Sequence, residues 1–368
     1  MNLSSKGINI NRIRNVDLVE SIAIIFVVMY HSSNYSVDFL TGGDLVCAVS
    51  YWFRTILSTC VPLFFFINGF LLFNKDFILK KHIIKIIKLI LLTGIWGIIT
   101  LFLFMIIKNE YFTIKEFIKA LWQWKYGWIH HLWFMGTLIC IYCFFPLLKN
   151  CYDTNKKIFY FFISISALLT FGNKLICEMF TIASNLFFDY TKEINKNLFN
   201  MFNPFRGIYG YAFVYFCCGG LISNFVHKIQ EQQKRWNLIA ISLLIINMTL
   251  LFGYGTFVSY MTGKIWDVVW NGYDTIFTFC NVIVIFILSL NYNYNNYTSY
   301  KLIKLISINT LGIYFLHWIY IPVTIKYIRE YTIFSNVFGN FVYAIAVVIM
   351  SLITIWLIKK IPIIKHLV

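Results

Sequence analysis

Long apolar segments recur along the whole chain and constrain its fold more than any other feature. A window of about 19 residues, the length needed to cross a bilayer, finds ten of them. They cover residues 16–33, 45–73, 83–107, 131–148, 158–179, 205–226, 237–256, 272–290, 305–325 and 335–358. Hydrophobic residues make up 60% of the sequence and charged residues 12%, which excludes a soluble domain. The pattern predicts an all-α polytopic integral membrane protein with about ten transmembrane helices.

The basic residues between these segments predict their orientation. The net charge of +16 is spread over short clusters of lysine and arginine rather than one continuous patch, which argues against nucleic-acid binding. Most of the 31 basic residues fall on the side that also holds both chain ends, and the more basic side of a membrane protein faces the cytoplasm. We therefore predict cytoplasmic termini and one membrane domain over residues 1–368, with no separate soluble domain.

Three ionisable side chains in apolar segments are the first functional candidates, because an unpartnered charge there costs several kcal/mol. His31 lies near the end of the first segment, Arg54 lies within the second and His317 lies in the ninth. Each has a structural alternative, because a histidine can form a hydrogen bond between helices and Arg54 can pair with an acid such as Asp17 or Asp44. The functional interpretation is chemistry or polar transport inside the bilayer.

Four stretches of the sequence together resemble the acyltransferase 3 family of membrane proteins. They are DLVESIAIIFVVMYH (17–31), VPLFFFINGFLL (61–72), HLWFMGTLICIYCFFPLL (131–148) and SINTLGIYFLHWIYI (307–321). The resemblance implies an enzyme that moves an acyl group, commonly acetyl from cytoplasmic acetyl-CoA, onto hydroxyls of cell-surface polysaccharide, peptidoglycan or lipid-linked sugar. The abundance of Asn, Ile, Lys and Phe indicates an AT-rich bacterial genome, so we expect a bacterial plasma-membrane protein.

The first helix departs from that family in its charge. Family members usually carry an arginine eleven residues before the histidine, where this chain has Glu20. A carboxylate cannot hold a phosphate or an acyl oxygen as a guanidinium does, so Arg14 or another basic residue must supply the cation, or this branch works differently. Asn68 is a smaller departure, because the family more often has serine there.

The spacing in the first segment fits acyl transfer. His31 lies 17 residues beyond Arg14, or about 25 Å along a helix, and a separation of eleven residues puts Glu20 and His31 on one face. Transfer from a thioester to an alcohol needs a base for the hydroxyl proton and a positive or hydrogen-bonding group for the oxyanion. We predict that His31 is the base in a direct attack, with an acyl-histidine intermediate as the alternative. The other candidate catalytic residues are Asp17, Glu20, Arg54 and His317.

A basic run at the start of the third segment is the candidate site for the phosphates of CoA. In KKHIIKIIK (80–88), Lys81, Lys85 and Lys88 are spaced four and three apart and share one helical stripe. Positive-inside lysines and contacts with anionic lipid also explain such clusters. We add Arg14 to these candidate donor-binding residues. The family resemblance implies acetyl-CoA as cosubstrate. Because the chain has no phosphate-binding loop, no Rossmann glycine pattern and no metal-type cysteine spacing, we expect no nucleotide cofactor of those kinds and no metal.

Two candidate acceptor-binding residues, His131 and Trp133, open the fourth apolar segment on its outer side, and Asn68 in the second segment is a third. A plain interfacial position explains His131 equally well. The preceding outer loop, 108–130, is rich in aromatic residues, which suit either a belt at the membrane surface or a platform for a sugar ring. Those aromatic residues are Trp122, Trp124, Tyr126 and Trp128.

Two other classes of function stay open on the sequence alone. A transporter of a lipid-linked sugar or small polar molecule also needs many helices around buried charges, but it would not consume acetyl-CoA. A non-catalytic partner of a cell-wall complex would tolerate loss of both His31 and Arg54. For the enzyme, the expected partners are acyl-CoA, an envelope glycan or lipid-linked sugar, and membrane lipids, with a homodimer left open.

Overall fold

A computed structural model of the protein describes residues 14–32, 37–42, 45–123, 127–199, 209–292, 297–328, 331 and 336–368. Within these ranges the chain is almost entirely helical and contains no strand. In chain order the main helices are α1 (Arg14–His31), α2 (Leu45–Phe73), α3 (Leu79–Lys108), α4 (Ile114–Gln123), α5 (His130–Thr154), α6 (Lys156–Phe188), α7 (Tyr211–Glu231), α8 (Gln233–Thr262), α9 (Ile276–Leu290), α10 (Tyr297–Ser307), α11 (Thr310–Ile328) and α12 (Val337–Lys360).

Eight of these helices, within the described part of the chain, are long and apolar enough to cross a membrane: α2, α3, α5, α6, α7, α8, α11 and α12. Helix α9 is apolar but has only 15 residues, and α1 carries Arg14, Asp17 and Glu20 in its first two turns. Each of the ten predicted segments overlaps one of these ten helices. The all-α multi-pass fold is therefore confirmed, whereas ten crossings and cytoplasmic termini stay predictions.

Helix α1 is surrounded by other helices. It packs against α2 and against α9, α10, α11 and α12, which all follow much later in the chain. Val19 and Ala23 have no exposed surface, as expected for a helix enclosed in a bundle. Its C-terminal end is held by Asn340 of α12, whose amide donates to the Met29 carbonyl (3.1 Å) and accepts from the Ser32 hydroxyl (3.1 Å). The end that carries the first candidate histidine is thereby fixed in place.

Helices α2 and α7 cross in close contact because glycines lie at the crossing. A Cβ added to Gly69 would overlap the carbonyl oxygen of Phe216, and one added to Gly219 would overlap that of Phe66. Only glycine allows two helix backbones to approach this closely. The glycine of the INGF sequence in α2 therefore has a packing role.

Helix α4 runs back alongside α3, away from the end of that helix. It begins with a capping box in which the Glu116 carboxylate accepts hydrogen bonds from the backbone N–H (2.9 Å) and hydroxyl (2.8 Å) of Thr113. These bonds hold the pKa of Glu116 below its usual value. At the other end of α4, Leu121 lies 2.8 Å from where a Cβ of Gly97 would be. Gly97 is eleven residues before the end of α3, or about 16 Å along that helix.

The aromatic residues of the outer loop do not share one environment. Trp128 is only 8% exposed, with its ring 5.8 Å from that of Phe104 and 5.0 Å from that of Phe112. Trp122, in contrast, is 84% exposed. The prediction of a surface position is therefore wrong for Trp128, which is a core residue. Trp124 and Tyr126 lie outside the described residues.

Candidate active site

Three histidines from three helices meet inside the bundle. His31 ends α1, His131 lies in the first turn of α5 and His317 lies in α11. The ring centroids of His31 and His317 are 5.4 Å apart, and those of His131 and His317 are 6.3 Å apart. His131 and His317 are buried, whereas His31 is partly accessible. This histidine cluster, His31, His131 and His317, thus has one accessible imidazole supported by two buried ones.

Trp318 holds the rings of the histidine cluster in place. The His131 ring stacks on it at 4.8 Å, and the His31 ring meets it edge-on at 4.9 Å. The Trp318 indole N–H donates to the Trp128 carbonyl at 2.7 Å, and the Tyr314 hydroxyl donates to the His131 carbonyl. The FLHW sequence therefore contributes a histidine and the aromatic ring that orients its neighbours.

The hydrogen bonds of the histidine cluster leave several ring nitrogens free. His317 Nδ1 lies 3.2 Å from the Ile313 carbonyl oxygen. Because a carbonyl only accepts, Nδ1 carries the proton and Nε2 of the neutral ring keeps its lone pair. Within the described residues, His317 Nε2 and both ring nitrogens of His131 have no hydrogen-bond partner. Buried polar atoms without partners are rare, so the cluster has donors and acceptors available for a reactant.

Arg54 lies beside the cluster with an acidic partner. Its Nη2 is 3.8 Å from Asp267 Oδ1, and its guanidinium lies 5.4 Å from the centre of the Tyr30 ring. The Tyr30 hydroxyl donates to Asp267 Oδ2 at 2.8 Å, and the Tyr30 ring contacts that of His31 at 4.9 Å. Arg54 therefore pairs with Asp267, from the segment between α8 and α9, and not with Asp17. The other acid predicted as a partner, Asp44, lies outside the described residues.

A cavity of about 220 Å³, here called the inner cavity, lies between α1, α2, α3, α5 and α11. None of the three histidines is among its lining residues, but Tyr314 lines it and also contacts the cluster. Phe134 and Tyr314 line one part of it, and the Tyr314 ring is 5.6 Å from that of His131 and 5.9 Å from that of His317. Tyr142 lines another part, eight residues beyond Phe134, or about 12 Å along α5. The cavity thus extends along α5 away from the cluster.

A row of hydrogen-bonded side chains lines the far part of the inner cavity. The Lys85 ammonium donates to the Tyr142 hydroxyl at 3.1 Å and lies 4.7 Å above the Tyr142 ring. The Tyr142 hydroxyl in turn donates to Asn68 Oδ1 at 2.6 Å. Glu20 also lines this cavity. The row places one fixed positive charge at the part of the cavity that lies farthest from the histidines.

A family model described as an acyltransferase domain, Acyl_transf_3, matches residues 13–360. The chain belongs to the acyltransferase 3 family. No curated protein and no solved structure matches the chain significantly. The match covers all twelve main helices, so the histidine cluster and the inner cavity both belong to the acyltransferase domain. The protein is therefore a multi-pass membrane acyltransferase.

The acidic residues of the first helix lie away from the histidine cluster of this acyltransferase. Asp17 accepts hydrogen bonds from the Ser307 hydroxyl (2.8 Å) and the Tyr300 hydroxyl (3.1 Å), and the Ser307 oxygen is also within hydrogen-bonding distance of the Glu20 carboxylate. Arg14 lies 5.0 Å above the Tyr300 ring. Asp17 precedes the histidine that ends α1 by 14 residues, or about 21 Å. The structure therefore joins Asp17 to α10 and does not bring it to the cluster.

The remaining candidate residues of the acyltransferase fall into two places. All three lysines of the stripe have exposed surface, but of the three only Lys85 is among the residues that line the inner cavity. Asn68, a candidate for the acceptor, lines the same cavity. Trp133 lies elsewhere, with its ring 4.5 Å from that of Tyr209 and 5.5 Å from that of Trp270.

Sequence reasoning missed three residues that shape this site. Asp267 is an isolated acid between two apolar segments, and nothing in its neighbourhood distinguishes it from other loop acids. Tyr142 is one of several aromatic residues in α5. Trp318 follows His317 directly, and that adjacency is the one signal that pointed to a role beside a functional histidine.

Proposed function

We propose that this acyltransferase moves an acetyl group from cytoplasmic acetyl-CoA to a hydroxyl of a cell-envelope glycan or lipid-linked sugar. The inner cavity is the observation that carries the proposal. It runs from the fixed cation of Lys85 to Tyr314 at the histidine cluster, and a thioester with a charged phosphate end and an apolar reactive end matches that polarity. Acetyl rather than a longer acyl group is the expectation from the family resemblance.

The donor would enter the inner cavity with its phosphates toward Lys85. Because the Tyr142 hydroxyl and ring already hold the ammonium, little side-chain entropy is lost when an anion binds. Lys85 could then supply the cation that the family's arginine usually provides and that Glu20 cannot. The thioester would reach the apolar part of the cavity beside Tyr314, where water is scarce and hydrolysis is disfavoured.

His31 would act as the general base, because it is the accessible member of the histidine cluster. The lone pair on His317 Nε2 can accept the N–H of His31, which leaves the other His31 nitrogen unprotonated and facing the acceptor. The acceptor hydroxyl gives its proton to that nitrogen as its oxygen bonds to the thioester carbon. The carbon–sulfur bond then breaks, and the CoA thiolate takes the proton back, giving an ester and free thiol.

His131 would stabilise the oxyanion that forms during this step. A neutral imidazole always carries one N–H, and neither ring nitrogen of His131 has a partner within the described residues. Its stacking on Trp318 fixes the ring before the substrate arrives, which is the condition for effective electrostatic stabilisation. Arg54 and Asp267 contact Tyr30, the neighbour of His31, and are not among the lining residues of the inner cavity, so we assign them to the acceptor.

The experiment that tests this function uses purified protein in liposomes. Radiolabelled acetyl-CoA is added with envelope glycans, and the wild type is compared with His31→Ala and with His227→Ala, which alters an exposed histidine. We expect label to move to a glycan with the wild type and with His227→Ala only. Full transfer by a stably inserted His31→Ala protein would contradict the assignment of the base. No donor consumption with any acceptor, by folded wild type, would favour a transporter.

A further inference from the structure

A second cavity, of about 470 Å³, lies on another face of α3 and α5 and is called here the lateral cleft. Its walls come from three helices, and all but one of the lining side chains are apolar. Those used below are Ile90 and Gly94 of α3, Ile118 and Trp122 of α4, and Leu132 and Ile139 of α5. The lateral cleft shares none of its lining residues with the inner cavity. It is therefore a separate site.

The lateral cleft is open toward the surroundings of the bundle. Ile90 is 51% exposed and Trp122 is 84% exposed. A Cβ added to Gly94 would meet no atom within 4 Å, so the glycine leaves a gap at this point of α3. Because α3 is a membrane-spanning helix, the lateral cleft faces hydrocarbon. An apolar space open to the bilayer suits a hydrocarbon chain and not a sugar or a phosphate.

The lateral cleft comes close to the histidine cluster at the start of α5. Leu132, which lines it, directly follows His131 in the first turn of that helix. A chain lying against Leu132 would therefore pass one residue away from His131, which we assign to acyl transfer. An ordinary membrane lipid bound in the lateral cleft would bring no acceptor hydroxyl to the histidine cluster. A lipid-linked acceptor, in contrast, would place its sugar hydroxyls close to His31.

Positive charge accompanies the lateral cleft on its outer side. Lys115 and Lys119 are exposed residues of α4. Lys119 directly follows the lining residue Ile118, and Lys115 precedes it by about one helical turn. Lys108 ends α3, with its ammonium 5.1 Å above the Trp128 ring. Two of the three helices that form the lateral cleft, α3 and α4, thus carry three lysines, which would attract an anionic group attached to the hydrocarbon chain.

We propose that the lateral cleft binds the polyprenyl chain of a lipid-linked saccharide, with its phosphate toward these lysines and its sugar at the histidine cluster. The proposal rests on the function proposed above and narrows its acceptor to a membrane-anchored one. The hydrocarbon chain would then contact the apolar cleft, the phosphate would lie near the lysines, and the sugar would lie at the histidine cluster.

Photolabelling tests this proposal with a polyprenyl phosphate that carries a diazirine in its chain. Wild type is compared with Gly94→Leu, which fills the lateral cleft, and with Gly253→Leu on α8, where an added Cβ likewise meets nothing within 4 Å. We expect label in α3 and α4 of the wild type and of Gly253→Leu, and roughly tenfold less in Gly94→Leu, since about 1.4 kcal/mol of lost apolar burial corresponds to that factor. Ile139→Trp is a second blocking variant.

Two results would contradict the proposal that the lateral cleft binds a polyprenyl chain. One is equal labelling of the wild type and both blocking variants. The other is equally strong labelling of α3 and α4 by a diazirine phosphatidylglycerol, which would make the cleft a general lipid contact. CoA binding is measured in the same preparations and is expected to be equal in all four proteins. Its absence from folded wild type would overturn the proposed function instead, so the two claims fail separately.

Discussion

The two ends of α1 differ in whether their polar groups have hydrogen-bond partners. At one end, Asp17 accepts hydrogen bonds from Ser307 and Tyr300, and Glu20 shares the same serine. At the other end, His31 meets two histidines whose ring nitrogens are largely without partners within the described residues. Both ends belong to the first family motif, so the sequence alone groups them together.

This difference indicates that one end of α1 stabilises the fold and the other takes part in catalysis. A buried polar atom without a partner costs about 1–3 kcal/mol, so the histidine end reduces the stability of the fold. The acid end instead joins α1 to α10 through satisfied hydrogen bonds. We therefore expect substitutions at the histidine end to affect turnover, and substitutions at the acid end to affect folding. The following predictions test that division, from the largest expected effect on turnover to the smallest.

Replacement of His31 by glutamine is expected to have the largest effect. Glutamine keeps a polar side chain but cannot accept a proton, and loss of a general base lowers the rate by about 10²- to 10⁴-fold. The turnover number is measured in liposomes, and the melting temperature in detergent should stay within a few degrees of wild type. A variant that melts far earlier but turns over normally would reverse the assignment of this end.

Replacement of His317 should give the next largest effect, and two variants separate its possible roles. His317→Leu removes the Nε2 acceptor, and we expect turnover to fall about 10- to 100-fold, because an orienting hydrogen bond contributes about 1.4–2.7 kcal/mol. His317→Gln keeps an acceptor near the Nε2 position and should recover part of that loss with an unchanged KM. Equal activity of the two variants would show that His317 only fills space.

The fold was predictable from the sequence because membrane-spanning helices need long apolar runs, and each of the ten runs overlaps a helix. Short polar helices gave no such signal. Helix α10 contains Lys301 and Lys304 and is too short to span, yet it supplies Ser307 to the acids of α1. The direction of α4 was also not predictable, because it depends on the gap at Gly97 of a different helix.

The candidate site was predictable only in part. His31 and His317 stood out because ionisable groups are rare in apolar segments, and the structure brings them together. Partners were harder to find: Arg54 pairs with Asp267 and not with Asp17, and only tertiary packing decides which acid meets which base. The separation of Asp17 from the histidines follows from helix length alone, although Asp17 and His31 stand in the same family motif.

Lys85→Met is expected to weaken donor binding with a smaller effect on turnover. The charged hydrogen bond from a lysine to a phosphate contributes about 1.5–3 kcal/mol, so the KM for acetyl-CoA should rise about tenfold or more while kcat changes little. Lys80→Met is the matched control, because Lys80 is exposed like Lys85 but is not among the residues of the inner cavity. An equal rise in KM for both variants would mean that surface charge, and not the cavity, binds the donor.

Asp17→Asn should have the smallest effect on turnover and the clearest effect on stability. The Ser307 and Tyr300 hydroxyls donate to different oxygens of Asp17. Asparagine keeps only one of these oxygens and has no charge, so one donated bond is lost and the other loses its charge assistance, at a cost of about 1–3 kcal/mol. We expect a lower melting temperature and a near-normal kcat per folded molecule, with exposed Asp76→Asn unchanged in both. If Asp17→Asn melts like the wild type but loses turnover, the acid end takes part in catalysis and the division of α1 into two roles fails.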